Sequence, residues 1–303
     1  MNEIIQGDAL TVLATLPDAS VQCVVTSPPY YGLRDYGVEG QIGLEETPGA
    51  YVQKLVQVFR EVRRVLREDG LLWLNLGDSY ANDAKWGGST GGKHAQGLHG
   101  NSETRDRRTT GLAPKNLMMI PARVAIALQD NGWILRSDII WSKNNAMPES
   151  VKNRPTKSHE HMFMLAKSEK YYYDAEAIAE PTEYGARGRS FMRGKTAERN
   201  SRQGKSDYTF NPTRNRRDVW SIATQPLKES HFACMPPRLA ELCILAGSRP
   251  GDVVLDPFSG AGTTALVANN LGRKYIGIEL NPEYVEMSQR RLVQPALAFE
   301  WIA

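Results

Sequence analysis

The chain has 303 residues, of which 41% are hydrophobic and 23% charged, and a net charge of +3. This length accommodates one large α/β domain or a core with an inserted lobe, and the composition is that of a globular protein. Three cysteines without a CxxC spacing argue against a disulfide scaffold and a cysteine zinc site. No apolar run approaches the roughly 20 residues that span a bilayer, and the N-terminus lacks a signal-peptide pattern. We therefore expect a cytoplasmic protein with no membrane partner.

Apolar runs typical of strands alternate along the chain with segments whose apolar residues recur at helical spacing. The predicted strands are at 4–5, 21–26, 71–76, 133–141, 160–166, 253–256 and 275–278. The predicted helices are at 9–16, 49–67, 121–131, 236–246, 263–271 and 283–293. Gly70 stands where the second helical region is predicted to end. The alternation predicts an α/β fold whose doubly wound, mostly parallel sheet is covered on both faces.

Two polar segments interrupt this alternation and carry most of the positive charge. Residues 85–115 contain six Lys or Arg against two acids, and residues 181–217 contain ten against three. Concentrated positive charge favours a polyanionic partner. The alternative is that both segments are solvated, disordered loops.

The first candidate motif is Ser27–Tyr30, which follows the predicted strand 21–26. Two successive prolines make a stiff bend whose carbonyls stay outside a sheet ladder. A carbonyl of this bend and the Ser27 hydroxyl offer converging acceptors for the N–H groups of a planar amine. Such acceptors draw the nitrogen toward tetrahedral geometry and free its lone pair, while Tyr30 can stack on the ring. The alternative is a Pro-Pro turn with an incidental tyrosine.

The second candidate motif is a glycine loop between the predicted strand 253–256 and the helix that follows. Gly260, Gly262 and Ala265 match a G-x-G-x-x-A pattern, and Glu279 ends the next predicted strand. Glycines permit a tight turn close to a ligand, and a carboxylate at that place can accept the ribose hydroxyls of an adenosine. The pattern also fits a nicotinamide-dependent oxidoreductase, but only about forty residues follow the loop, too few for a second dinucleotide half.

Together these motifs resemble those of the type II DNA amino-methyltransferases, which act on adenine N6 or cytosine N4. The catalytic pattern (D/N/S)-P-P-(Y/F/W) is matched at Ser27–Tyr30, and the donor pattern D-P-F-x-G-x-G-T-T is matched from Asp256 to Thr264. The order, with the catalytic motif first, resembles the circularly permuted β subgroup. The resemblance implies a Rossmann-like fold and S-adenosylmethionine as the cofactor.

The resemblance also implies roles for individual residues. The residues implied in catalysis are Ser27, Pro28, Pro29 and Tyr30. Those implied to hold the methionine part of the donor are Asp256, Phe258, Ser259, Gly260, Gly262, Thr263 and Thr264. Glu279 is implied to bind the ribose and Asp8 the adenine amine, with Pro236 and Arg238 in the segment before a donor-binding helix.

The implied organisation places the DNA-recognition region between two halves of one methyltransferase domain. Residues 1–174 form the catalytic half, with a mobile loop at 81–116; residues 175–220 form the target-recognition region and 221–303 the donor-binding half. The candidate DNA-binding residues are Arg187, Arg189, Arg193, Lys195, Arg199, Arg202, Arg214 and Arg216. The expected partners are double-stranded DNA and a second copy of the chain, since the β subgroup often dimerises. The sequence leaves open whether a cognate restriction enzyme exists.

The target base would be flipped out of the duplex, and no covalent enzyme intermediate is expected because a Pro-Cys nucleophile is absent. We favour cytosine N4 over adenine N6, because family members with Ser at the first motif position more often act on cytosine. A non-catalytic DNA-binding protein with a vestigial donor site is a further alternative.

A metal is not expected. In a strand, His159, Glu160 and His161 would alternate between opposite faces of the sheet. Lys143, Asn144 and Asn145 together with Arg154 either line the base pocket or cap a strand.

Overall fold

The computed structural model describes residues 2–81, 110–182, 212–225 and 235–293. Most of the predicted mobile loop 81–116 and most of the predicted recognition region therefore lie outside the described residues. The chain divides into two compact units. One comprises Met1–Tyr173 with Asp218–Ala303, and the other comprises Asp174–Arg217.

Ten strands and six helices make up the described structure. The strands are β1 (Asn2–Gln6), β2 (Val21–Thr26), β3 (Leu66–Leu76), β4 (Ile134–Ser142), β5 (His159–Ala166), β6 (Glu180–Pro181), β7 (Thr213–Arg214), β8 (Val219–Ser221), β9 (Val253–Asp256) and β10 (Lys274–Glu279). The helices are α1 (Ala9–Leu13), α2 (Pro48–Val65), α3 (Ile120–Asp130), α4 (Pro237–Gly247), α5 (Thr263–Asn270) and α6 (Pro282–Val293).

The larger unit is built on one eight-stranded sheet with the order β1-β10-β9-β2-β3-β5-β4-β8. All neighbours are parallel except β5, which runs antiparallel to both β3 and β4. The segment between β4 and β5 contains no helix, so the chain turns back and pairs in the opposite direction. The predicted α/β class and mostly parallel sheet are confirmed. In the smaller unit, β6 and β7 form a short antiparallel pair.

The core forms because the central strands are apolar on both faces and the helices are apolar on one. Every residue of β2 is buried, as parallel strands covered by helices require. Helix α2 begins where the Thr47 side chain accepts a hydrogen bond from the Ala50 N–H, and it buries Tyr51, Leu55 and Phe59 at helical spacing.

The prediction was wrong about Gly70 and about the start of the third strand. Strand β3 begins at Leu66, directly after α2, so Gly70 lies inside the strand and does not end the helix. A Cβ at Gly70 would lie 2.6 Å from Leu66 Cγ and 2.8 Å from the Gln22 carbonyl oxygen, which leaves no room for a side chain. The three-residue strand β8 was not predicted, because so short a run carries no periodicity.

The sheet positions the site because β1, β10, β9, β2 and β3 are parallel and end at the same edge. Both candidate motifs stand at that edge, since Ser27 follows β2 and Pro257 follows β9. The carboxyl ends of parallel strands are the usual ligand-binding edge of open α/β sheets. None of the helices in the described part of the chain is long and apolar enough to cross a membrane.

Candidate active site

A cavity of about 250 Å³ lies at the carboxyl edge of the sheet and brings the two motifs together. Its walls include all four residues of the Ser27–Tyr30 motif. From the predicted donor set it includes Asp8, Asp256, Phe258, Ser259, Gly260, Thr263, Thr264 and Glu279. We call the part around the glycine loop the donor end and the part around Ser27–Tyr30 the amine end.

Glu279 is fixed at the donor end by the backbone. Its Oε2 atom accepts a hydrogen bond from the Gly260 N–H at 2.7 Å, and its Oε1 atom accepts one from the Asn281 N–H at 2.8 Å. Burial raises the pKa of Glu279, and these N–H donors oppose the shift. Gly260 has a φ of +50° and a Cβ there would meet no atom within 4 Å, so this turn selects glycine through its backbone conformation.

Asp256 links the start of the glycine loop to β2, the strand that precedes the Ser27–Tyr30 motif. Its buried Oδ1 atom accepts hydrogen bonds from Thr26 Oγ1 at 2.7 Å and from the Phe258 N–H at 3.0 Å. Burial raises the pKa of Asp256 to about 6, although both donors favour the ionised form.

Asp8 stands at the start of α1, on the side of the cavity formed by β1. Its Oδ1 atom accepts hydrogen bonds from the Thr11 N–H at 2.9 Å and from Thr11 Oγ1 at 3.0 Å. This capping arrangement fixes the carboxylate at the cavity wall.

Three residues of the predicted donor set do not line the cavity: Gly262, Pro236 and Arg238. Gly262 has a φ of +75°, and a Cβ there would lie 2.6 Å from Ser288 Cβ, so this glycine lets α6 approach the loop. Pro236 precedes the first residue of α4, and the Arg238 guanidinium pairs with Glu241 one turn further along that helix.

The amine end is a hydrogen-bonded set of side chains from distant parts of the chain. Ser27 Oγ donates to the Tyr30 hydroxyl at 3.2 Å, and that hydroxyl donates to Glu160 Oε2 at 2.6 Å. Asn75 Oδ1 lies 3.0 Å from the same hydroxyl. The Lys143 ammonium pairs with the other carboxylate oxygen of Glu160. Burial and the neighbouring Glu160 charge raise the pKa of Tyr30 well above its ordinary value, so its hydroxyl stays protonated.

Contacts on both sides hold the proline bend and the Tyr30 ring. The Tyr51 hydroxyl donates to the Pro29 carbonyl at 2.9 Å and occupies one of its two lone pairs, which favours the Pro28 carbonyl as the candidate acceptor for a ligand. A Cβ at Gly77 would lie 2.6 Å from Tyr30 Cε2, so the end of β3 accommodates the ring only because residue 77 is glycine.

The sequence interpretation missed Glu160 and Asn75, which both line the cavity. The alternation along β5 that argued against a metal also places Glu160 on the face opposite His159 and His161, and this was the available signal. His161 Nδ1 instead lies 2.9 Å from Asp138 Oδ1. Within residues 2–81, 110–182, 212–225 and 235–293, no three His, Cys, Asp or Glu side chains are grouped as metal ligands.

Of the residues predicted to line a base pocket or cap a strand, Lys143 lines the cavity. Asn144, Asn145 and Arg154 are not part of its lining. The Asn145 side chain bonds the backbone of Thr224, with its Oδ1 atom 2.8 Å from the Thr224 nitrogen. The Arg154 guanidinium pairs with Glu149 and lies over the ring of Tyr80.

Two of the predicted DNA-binding residues are described, and both lie in the smaller unit. Arg214 Nε donates to Glu180 Oε1 at 2.8 Å, and Arg216 Nε donates to the Ile178 carbonyl at 2.8 Å. The remaining six lie outside the described residues: Arg187, Arg189, Arg193, Lys195, Arg199 and Arg202.

The sequence matches the N6/N4 DNA methylase family across residues 21–290. The type II methyltransferase M.XycI of Xanthomonas campestris pv. cyanopsidis is 49% identical over 95% of this chain and 87% of its own length. The type II methyltransferase M.SmaI of Serratia marcescens is 47% identical, over 96% and 91% respectively.

Two solved structures share the fold. A putative DNA modification methylase from Thermus thermophilus, complexed with S-adenosyl-L-methionine, has a TM-score of 0.60 at 28% identity and covers 96% of this chain and 93% of that chain. A PvuII DNA methyltransferase described as cytosine-N4-specific has a TM-score of 0.67, covering 98% of this chain and 89% of that chain. Its identity of 21% makes it a likeness of fold alone.

These matches set aside the nicotinamide oxidoreductase alternative, and they agree with the meeting of the Pro-Pro bend and the glycine loop in one cavity. The chain belongs to the N6/N4 DNA methylase family and is an S-adenosylmethionine-dependent type II DNA methyltransferase.

Proposed function

We propose that the enzyme transfers a methyl group to the N4 amine of a cytosine flipped out of double-stranded DNA. The observation that carries this proposal is the single cavity shared by the acceptors of the Ser27–Tyr30 motif and the carboxylates of the donor end. The amine end suits an amine, and the donor end suits a nucleoside that carries a positive charge.

The donor end suits S-adenosylmethionine in its chemistry. Three carboxylates, Asp8, Asp256 and Glu279, are distributed around the cavity beside an open glycine turn. In this proposal Glu279 binds the ribose hydroxyls, Asp8 the adenine amine, and Asp256 with the loop after it the cationic methionine part. Bound S-adenosylmethionine supplies the methyl group as an electrophile on sulfur.

The amine end binds and orients the target. Ser27 Oγ and the Pro28 carbonyl accept the two N–H groups, which localises the nitrogen lone pair and directs it toward the donor end. The Tyr30 ring lies on the cavity wall, where it can contact the face of the base. The rate enhancement comes from positioning and polarisation, so no covalent bond between enzyme and base is needed.

The choice of cytosine rests on Ser27. A hydroxyl is a neutral and weaker acceptor than the carboxylate found at this position in other family members, and Ser is associated with cytosine N4. The second candidate is adenine N6. Digestion of modified DNA to nucleosides, followed by mass spectrometry, distinguishes them: N4-methylcytosine is expected, and N6-methyladenine alone would contradict the base assignment while leaving the reaction class intact.

We assign DNA recognition to residues 175–220, between the catalytic half 1–174 and the donor half 221–303. The support is the charge of this segment, which carries ten Lys or Arg between residues 181 and 217. Basic side chains that neutralise phosphates make binding weaken steeply with salt. Deletion of residues 186–216 should remove DNA affinity and site selection from a protein that still binds the donor. A deletion variant with unchanged DNA affinity and specificity would refute the assignment.

A homodimer is a further part of the proposal, supported by the resemblance, since the β subgroup often dimerises. Light scattering with and without DNA tests the dimer, and a monomeric mass under both conditions would contradict it.

A further inference from the structure

Methylation of an amine releases a proton from the nitrogen, and the amine end must accept it. When the nitrogen lone pair forms its bond to the methyl carbon, the bond from that carbon to sulfur breaks and its electrons stay on sulfur. The nitrogen becomes cationic and loses one proton. Its immediate neighbour, the Ser27 hydroxyl, is a poor terminal base because it is neutral.

The hydrogen bonds at the amine end already point away from Ser27 and toward a carboxylate. Ser27 Oγ donates to the Tyr30 hydroxyl at 3.2 Å, and the Tyr30 hydroxyl donates to Glu160 Oε2 at 2.6 Å. With its proton committed to Tyr30, Ser27 Oγ offers its lone pairs to the amine. Each hydroxyl in this series accepts on one side and donates on the other, as transfer of a proton along the series requires.

The surroundings of Glu160 suit a group that receives a proton for a short time. Its side chain is 13% exposed, and the Lys143 ammonium, itself 19% exposed, pairs with Oε1 and leaves Oε2 to Tyr30. Lys143 in turn lies 4.6 Å from the centre of the Trp141 ring. The other ionisable groups near Glu160 are Lys157, whose pKa is lowered by burial, and the strand neighbours His159 and His161.

We propose that Glu160 is the terminal acceptor of a proton relay that runs from the target amine through Ser27 and Tyr30. The inference rests on the proposed function, because it takes Ser27 as the residue that binds the amine. In one step, the methylated amine gives its proton to Ser27 Oγ, Ser27 gives its own to the Tyr30 oxygen, and Tyr30 gives its own to Glu160 Oε2. The base is left neutral, both hydroxyls are restored, and Glu160 later releases the proton to water.

The test compares Glu160→Gln with the wild type in single-turnover methyl transfer across pH. Glutamine keeps the size of the side chain and an oxygen for Tyr30 but cannot take up the proton. We expect the rate at neutral pH to fall on the order of 100-fold, as for loss of a general base, with donor and DNA affinities retained. The pH–rate profile of the variant should differ from that of the wild type, and Glu160→Asp should recover part of the rate.

Tyr30→Phe provides an independent break in the same relay, since it keeps the ring and removes only the hydroxyl. Its rate should fall by a similar factor, and the double variant Tyr30→Phe, Glu160→Gln should be no slower than the slower single variant. Glu169→Gln, an exposed position in the turn after β5, is the matched control and should behave as the wild type.

Three results would overturn the relay. They are an unchanged rate in Glu160→Gln, a slower variant that keeps the wild-type pH dependence, and additive losses in the double variant. The second result would mean that Glu160 only holds the Tyr30 ring. A wild-type enzyme that methylates no exocyclic amine would instead refute the proposed function.

Discussion

At the donor end of the cavity Glu279 is fixed by neighbouring backbone, whereas at the amine end Tyr30 is fixed by other side chains. Both oxygens of the Glu279 carboxylate accept backbone N–H groups, from Gly260 and Asn281. At the amine end, Tyr30 is held by Asn75 and Glu160, which lie on two different strands.

This difference agrees with what each end is proposed to bind. The donor is the same molecule in every turnover, so rigid backbone groups and carboxylates in fixed positions suffice. In the proposed mechanism the amine end accepts a base, polarises its amine and removes a proton, and these tasks need hydroxyl, carboxylate and ammonium groups close together. Substitutions should therefore separate the two ends, with loss of rate at one and loss of donor affinity at the other.

The largest expected effect is on the rate, from Ser27→Ala. The change removes an acceptor for the amine and the first member of the relay, so methyl transfer should fall about 100- to 1,000-fold, as for loss of a preorganised polar group in other enzymes. Donor affinity measured by calorimetry should be unchanged, because Ser27 makes no hydrogen bond to the donor loop in the described structure. Wild-type turnover in this variant would remove the catalytic assignment.

The same difference decides how much of the site could be predicted from sequence. Most of the donor end is contiguous, since Asp256 to Thr264 form one segment from the end of β9 to the start of α5, and most of its predicted residues line the cavity. The amine end is dispersed: Ser27 and Tyr30 belong to a motif, but Glu160 comes 130 residues after Tyr30. No local pattern marks such a residue, because its role depends on the pairing of β5 beside β3.

The fold was more predictable than the site. Long periodic elements such as α2 and the buried strand β2 were found to within two residues, because burial on defined faces controls the periodicity. The wrong interpretation of Gly70 arose because a glycine that ends a helix and a glycine that permits close packing look alike in sequence. The close approach of Leu66 and Gln22 to Gly70 shows that this glycine permits packing, and that approach is a tertiary contact.

The second prediction concerns donor affinity. Glu279→Ala removes the proposed acceptor for the ribose and frees two backbone N–H groups, so donor binding should weaken by about 1–3 kcal/mol. Glu286→Ala, an exposed residue of α6, is the control and should bind the donor normally. Isothermal titration calorimetry gives both affinities, and an unchanged value in Glu279→Ala would show that the donor is held elsewhere.

A smaller effect, confined to the amine end, is expected from Gly77→Ala. The new Cβ would lie 2.6 Å from Tyr30 Cε2 and 3.5 Å from Glu160 Cδ, so the ring must shift. Overpacking of this kind costs about 1–2 kcal/mol, which here should appear as a lower rate at normal donor affinity. In Gly49→Ala, the control, the Cβ would meet only Thr47 Oγ1 at 3.8 Å. Equal rates in the two variants would contradict the packing argument.

The smallest expected effect is a pH dependence of donor affinity that originates in Asp256. Burial raises the pKa of this carboxyl to about 6, so its ionised fraction grows between pH 5 and pH 7. If the ionised form binds the cationic part of the donor, affinity should rise by at most about tenfold over that range. Asp256→Asn should abolish this rise, and an equal rise in the variant would assign it to another group.

The stability of the enzyme without donor should change in the opposite direction. A pKa raised from 3.8 to about 6 means that the native state holds the Asp256 proton more tightly than the unfolded chain does. The contribution of this group to the free energy of unfolding is therefore full at acid pH and is lost as pH rises toward 6. Because Glu279 also has a raised pKa, the quantity to measure is the difference between the wild type and Asp256→Asn in chemical denaturation. That difference should move in favour of the variant from about pH 4 to pH 6, while donor affinity moves in favour of the wild type from pH 5 to pH 7. A stability difference that is independent of pH would mean that Asp256 is already ionised at pH 4, and the donor end would then offer a full negative charge under all conditions of the assay.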